Sequence, residues 1–263
     1  MYYPLQIPYL LNQAQSEAFY YTEEPISPLF SAFVICFWEM SPRTQERKKV
    51  EHVMIADGCI DLVADFEGGK IGFAGVSRTN FCSESVLPFW SMGARLKPGA
   101  FYQLAGVSAM AAMDTFLPLE AVDDSFDSEY YFSLPFAEAK GYLRDFITKL
   151  SMGKSPDMFT SLFDDLFDIQ GTHIPVTVMD LYQRLNFSPR QCQRLFARHF
   201  GLTPQMVLSI LRFQQCLLAL TWGEMMPNDL LKVASYYDQP HFIRDFKRHI
   251  GMTPPELVRM YLS

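Results

Sequence analysis

The sequence predicts an α+β chain of two domains: a mainly-β barrel or sandwich with two connecting helices, then an all-helical domain. Three observations carry this. Arg198-His199-Phe200-Gly201-Leu202-Thr203-Pro204 returns fifty residues later as Arg248-His249-Ile250-Gly251-Met252-Thr253-Pro254, with Arg194, Phe196 and Ser188 echoed by Arg244, Phe246 and Asp238. One helical unit is therefore used twice near the C-terminus. The first half instead holds short runs rich in Phe, Val and Ile, punctuated by Gly and Pro, as strands separated by turns are. Charge divides at the same place. From Thr172 onward there are ten Lys and Arg against six Asp and Glu, whereas the 263-residue chain as a whole carries −7.

The strands come first. Residues 32–38, 53–56, 60–64, 71–76 and 89–96 are apolar runs bounded by turn residues such as Asp57-Gly58 and Lys97-Pro98-Gly99. Residues 135–150 and 155–169 have helical periodicity and form a helical connector over about 135–170; Phe159, Leu162, Phe163, Leu166 and Phe167 make one apolar stripe. That stripe is either a dimer face or a surface packed on the barrel. The junction falls at residues 171–175, giving domains of 1–171 and 172–263, each long enough to bury a core.

Each copy of the repeat opens with a helix start. Ser188-Pro189-Arg190-Gln191 has a capping hydroxyl, a proline at the first helical position and a Gln three residues after the cap. Asp238 caps the second copy, and Thr253-Pro254-Pro255-Glu256 is another capping box. Gly201 and Gly251 end the helices, since glycine accepts the left-handed backbone beyond a C-terminus. Spacing four sends Cys192, Phe196 and Phe200 to the core, and Phe242, Phe246 and Ile250 in the second copy. Left outside are Arg190, Gln193, Arg194 and Arg198, then Gln239, His241, Arg244, Lys247 and Arg248. Arg pairs bidentately with guanine and Gln with adenine in the major groove. The alternative is a solvated basic face, which two faces in register disfavour. Residues 204–222 form one helix, roughly 26 Å long, ending in a break at 223–229.

On these residues, the segment from about Thr172 resembles the DNA-binding domain of the AraC/XylS family of bacterial transcription regulators. Ser188, Arg190, Cys192, Arg194 and Phe196 match the first unit's pattern; residues 236–242, Arg244, Phe246 and Lys247-Arg248 match the second's. Leu231 and Ser235 depart from it, standing where the family has Ala and Gly. The resemblance implies two helix-turn-helix units, at about 176–204 and 229–254, placed on successive major grooves about 34 Å apart. It implies base contact by Arg190, Gln193, Arg194, Gln239, His241 and Arg244, and phosphate contact by Arg198, Lys247 and Arg248. A weaker resemblance, at residues 57–62 and 93–101, links the N-terminal domain to an uncharacterised β-rich branch with a sensing and dimerisation role.

The partners this implies are double-stranded DNA, a small-molecule effector, a second copy of the chain and, for an activator, RNA polymerase. Trp38, Asp57, Cys59, Trp90 and Arg95 are candidates for an effector pocket, Arg95 toward a carboxylate, with Phe37, Phe101 and Tyr102 as further apolar contacts. The alternative is aromatic core and a structural ion pair.

Enzyme chemistry finds little footing. Residues 1–171 hold one histidine, His52, too few for a histidine-built metal site, and five cysteines (36, 59, 82, 192, 216) form no C-x-x-C pair. A DNA-repair protein with a Cys methyl acceptor would need a Cys-rich zinc module. The expectation is no catalytic residue, no metal and no cofactor, in a cytoplasmic protein without a membrane span. A protein-interaction module, or a DNA-binding module fused to an unrecognised enzyme, remains the alternative.

Overall fold

The computed structural model describes residues 2–5, 18–24, 26, 32–167, 174–175, 177–221, 236 and 238–262. The N-terminal part is β-rich and the C-terminal part helical. Eight strands are formed among the described residues: β1 (Phe19–Glu24), β2 (Val34–Pro42), β3 (Lys49–Met54), β4 (Ile60–Asp65), β5 (Lys70–Ala74), β6 (Phe81–Val86), β7 (Ser91–Leu96) and β8 (Phe116–Pro118). Six of them make one antiparallel sheet in the order β1-β2-β7-β4-β5-β8, and β3 pairs with β6 as a separate ribbon. The sheet has two edges and does not close into a barrel. The arrangement is the sandwich alternative.

Strand alternation sets the two faces of the large sheet. Ile60, Leu62 and Ala64 of β4 are buried on one face. The neighbouring helix α3 (Phe136–Ser151) covers that face, with Arg144 over the Phe37 ring at 5.1 Å and Lys140 paired with Glu39 at 2.8 Å. The opposite face, carrying Trp38, Asp61, Val63 and Arg95, looks toward the β3–β6 ribbon across a cavity. Gly93 makes room for Trp38: a Cβ there would lie 2.6 Å from the indole.

Short helices α1 (Ala100–Ala105) and α2 (Ser128–Ser133) precede α3, and α4 (Met158–Leu166) follows it. The apolar stripe of α4 is not a dimer face. Phe159, Leu162, Phe163 and Leu166 are buried within the chain, Phe163 against Tyr2 at 5.0 Å and Phe200 at 5.6 Å.

The helical part consists of α5 (Val178–Leu185), α6 (Pro189–Phe200), α7 (Pro204–Thr221), α8 (Gln239–Ile250), α9 (Pro254–Leu257) and a closing π-turn at Val258–Leu262. The expected break at 223–229, the first helix of the second unit, and Leu231 and Ser235 lie outside the described residues, as does most of the 171–175 junction. One core joins the β-rich part to the first helical unit: strand residues such as Leu62 and helix residues such as Phe196, Phe200 and Ile210 share a single cluster. A second, smaller cluster gathers Phe213, Phe242, Phe246 and Ile250 around α7 and α8, and Ile55 from the β-rich part joins it.

Candidate nucleic-acid interface

The two copies of the repeat fold alike, for the reasons their residues supply. Ser188 and Gln191 close a reciprocal capping box, with Gln191 N donating to Ser188 Oγ and Ser188 N donating to Gln191 Oε1 at 3.0 Å. In the second copy the Asp238 carboxylate accepts from His241 N at 2.7 Å. Both helices stop at a left-handed glycine, Gly201 at φ 68° and Gly251 at φ 86°. Cys192, Phe196 and Phe200, and Phe242, Phe246 and Ile250, are buried as the spacing predicts.

Every residue expected at the DNA lies on an exposed face: Arg190, Gln193, Arg194 and Arg198 on α6, and Gln239, His241, Arg244, Lys247 and Arg248 on α8. Three of them have a second engagement. Gln193 Nε2 donates to Tyr182 Oη at 3.0 Å, and the Arg198 guanidinium sits 5.5 Å from the Tyr102 ring centroid. Arg248 Nη2 donates to Asp245 at 2.5 Å and to Ser209 Oγ at 3.1 Å. Tyr102 thus packs at α6 rather than in an effector pocket.

A buried polar cluster fixes α8 on α7. Ser209 Oγ lies 2.8 Å from both Asp245 carboxylate oxygens and 2.7 Å from His249 Nε2, and Tyr236 Oη donates to Asp245 at 2.8 Å. Burial pushes the His249 imidazole down to about 4, against the pull of the Asp245 carboxylate. The His249 ring is therefore neutral near pH 7. Asp245 is held below its ordinary value: burial raises it, but His249, the Ser209 and Tyr236 hydroxyls and Arg248 outweigh that. A polar cleft of about 420 Å³ beside this cluster is lined by Gln205, Arg212, His241, Arg244 and Arg248. Sequence spacing does not mark Gln205 and Arg212; they belong to the linker helix, whose apolar run masks them.

Of the expected effector residues, Trp38, Asp57, Cys59 and Arg95 line one cavity of about 580 Å³ between the sheet and the β3–β6 ribbon. Trp90 is not among its lining residues, and Phe37 and Phe101 are core. Arg95 is 4 % exposed and donates to Glu23 at 2.8 Å. Its charge is already met by carboxylates, which leaves a ligand carboxylate little to gain there. Among the described residues no three His, Cys, Asp or Glu side chains are placed to hold a metal, and no helix is long and apolar enough to cross a membrane.

Residues 181–260 match the family model described as a helix-turn-helix domain, of the AraC type. Residues 23–118 match a model described as a domain of unknown function (DUF6597). No curated protein matches the chain. Among solved structures, ToxT from Vibrio cholerae is similar over 94% of this chain and 100% of its own, at 11% identity and a TM-score of 0.41. Unsaturated-fatty-acid-bound ToxT from Vibrio cholerae strain SCE256 is similar over 93% of this chain and 94% of its own, at 10% identity and a TM-score of 0.36. The C-terminal part is an AraC-type DNA-binding helix-turn-helix domain.

Proposed function

We propose that this AraC-type domain makes the chain a sequence-specific transcription regulator, cytoplasmic and modulated through its β-rich N-terminal part, with the division of labour near residue 172. One observation carries the reading. Two equivalent helices, α6 and α8, each expose Arg with Gln or His over their first two turns, and an 18-residue helix joins their units. That spacer, roughly 26 Å long, suits two successive major grooves about 34 Å apart. Arg190, Gln193 and Arg194, with Gln239, His241 and Arg244, read base edges. Arg198, Lys247 and Arg248 hold phosphates and set register. The excess of only four positive charges after Thr172 makes a second copy on DNA useful for affinity, and RNA polymerase is the further partner if the protein activates.

Selection from a random duplex pool tests this, with wild type and the Arg194→Ala/Arg244→Ala double variant. A motif of two blocks about one helical turn apart, lost in the double variant, is the expected result. Lys247→Ala should weaken all sequences alike and lower the salt slope by about 1. A folded wild type that enriches nothing would turn the reading toward a protein-interaction module.

A further inference from the structure

The cavity between the sheet and the β3–β6 ribbon gathers carboxylates around one guanidinium among the described residues. Strand register places Arg95 on β7 between Cys36 on β2 and Asp61 on β4. Glu23 takes Arg95 Nη1 at 2.8 Å and is not part of the cavity lining. On the cavity side Arg95 Nε faces Asp61 at 3.5 Å and Asp57 at 3.9 Å, and it is buried without a hydrogen-bond acceptor among the described residues. Two carboxylates therefore share one guanidinium edge. Asp65 and Glu67 add further negative charge to the lining, in which Arg95 is the sole cation among the described residues; Glu84, also in the lining, is paired with Lys49 at 3.4 Å. Burial pushes Asp61 up to about 7; Arg95 and the Trp38 indole hydrogen bond pull it down, and Asp57 and Glu23 raise it. The apolar wall is the Trp38 ring, fixed by Nε1 donating to Asp61 at 2.9 Å.

We propose that this cavity binds a small organic cation bearing an oxygen acceptor: its ammonium against Asp61 and Asp57, its oxygen on Arg95 Nε, and an apolar body on Trp38. An ammonium there neutralises buried carboxylate, and an aromatic wall suits a cation's organic body. The proposal rests on the reading that the N-terminal part modulates DNA binding, and the cavity walls supply the connection. Ala56, between lining residues Ile55 and Asp57, donates its N–H to His249 O at 3.2 Å. Asn80, beside lining residue Phe81, donates N and Nδ2 to Arg248 O, both at 2.8 Å, and Nδ2 to Lys247 O at 3.0 Å. Val76, between lining residues Gly75 and Ser77, meets the end of α6: a Cβ on Gly201 would lie 3.0 Å from its Cγ1. The segments that wall the cavity thus hold the C-terminal ends of both recognition helices.

The test uses the full chain without DNA, by tryptophan fluorescence and thermal shift, against three probes: 2-amino-1-phenylethanol, 2-phenylethanol and phenylacetate. The amino alcohol should saturate and raise Tm, at least about tenfold tighter than the neutral alcohol, with phenylacetate weakest. Asp61→Asn should lose about tenfold for the amino alcohol and little for the alcohol. Should that variant not fold, wild type decides by pH. With Arg95, Asp57, Glu23, Cys36 and Cys59 around it, Asp61 ionises as pH rises, so the amino alcohol should bind tighter at about pH 8 than at about pH 5.5. Phenylacetate binding as tightly, no amino-alcohol binding at millimolar concentration, or an affinity indifferent to both Asp61→Asn and pH would each overturn the proposal. Failure here with an operator still recovered by duplex selection leaves the regulator reading standing. Amino-alcohol binding with no operator does the reverse.

Discussion

His199 and His249 stand at equivalent positions of the two repeats and are both buried, His199 stacked on Phe159 at 4.1 Å and His249 against Phe213 at 5.0 Å. Burial lowers His199 despite Asp157 beside it. Neither imidazole is placed for DNA, although a histidine inside a basic stretch invites that assignment; each lies three residues after a core phenylalanine, Phe196 or Phe246, which puts both on the core side. His249 lies 2.7 Å from Ser209 and 3.8 Å from Asp245, the residue types of a hydrolytic triad. Yet Ser209 is 4 % exposed and is surrounded by Asp245, His249 and Arg248, so the set aligns α8 rather than attacking a substrate. Asp245→Asn removes the charge that Arg248 and the Tyr236 hydroxyl face, and should cost about 3 kcal/mol in urea unfolding. The sign with pH follows from His249. Its folded value lies below its unfolded one, so its stabilisation is complete above about pH 6.5 and disappears as pH falls through about 4. Asp245 is the charge that raises His249 against burial, so Asp245→Asn leaves burial unopposed and should lose more stability across that window than wild type. Equal losses would remove this cluster as the cause.

At the level of elements, caps were the most legible feature, because a capping box is a local contract between residues three apart. The boxes at Ser188 and Thr253 both form, and Thr177 with Asp180 adds one at α5. Ser188→Ala should cost about 1 kcal/mol. The glycine ends separate a local cost from a tertiary one. Gly106, at φ 70° with nothing within 4 Å of where a Cβ would stand, should tolerate Ala for about 1 kcal/mol. At Gly201, φ 68°, a Cβ would lie 2.8 Å from Ala109 O, so Gly201→Ala should cost a further 1–3 kcal/mol or so in the same denaturation experiment. Equal costs would mean that the α6 end does not bear on the β-rich part. Less legible were β1, β6 and β8, and the six-residue α1. β6, Phe-Cys-Ser-Glu-Ser-Val, is largely exposed and carries no apolar alternation, and six residues are too few to show a helical period. The cavity constellation was legible as residue types at Trp38, Asp57, Cys59 and Arg95. It was not legible as a charge state, since Glu23 and Asp61 reach Arg95 through strand register, which sequence spacing does not reveal.

Across the whole molecule, the charge division at residue 172 pointed to unlike halves but gave no sign that they share a core. Among the contacts joining them are those of Asn80, Val76 and Ala109, outside the strands, whose neighbours have no periodicity to mark them. Their consequence is a mechanical one. By itself α7 would set the separation of the two units through one helix, and a helix pivots at its ends. The loop at 75–80 adds a second tie, meeting Gly201 at the end of α6 and the last carbonyls of α8, so the two recognition helices are held at two levels. Two ties fix a spacing where one would permit a range. Asn80→Ala removes the side-chain bonds to Lys247 O and Arg248 O while leaving α8, its cap and its exposed face intact. On duplexes whose two selected blocks sit at the preferred distance, affinity should drop several-fold, about 1 kcal/mol for the lost bonds. On duplexes with the blocks moved by about one base pair, roughly 3.4 Å, the penalty relative to the preferred spacing should shrink. Binding measured across such a spacing series distinguishes a ruler from a mere stabiliser. A stabiliser lowers every affinity by the same factor and leaves the spacing preference as sharp as before, whereas loss of a ruler broadens it.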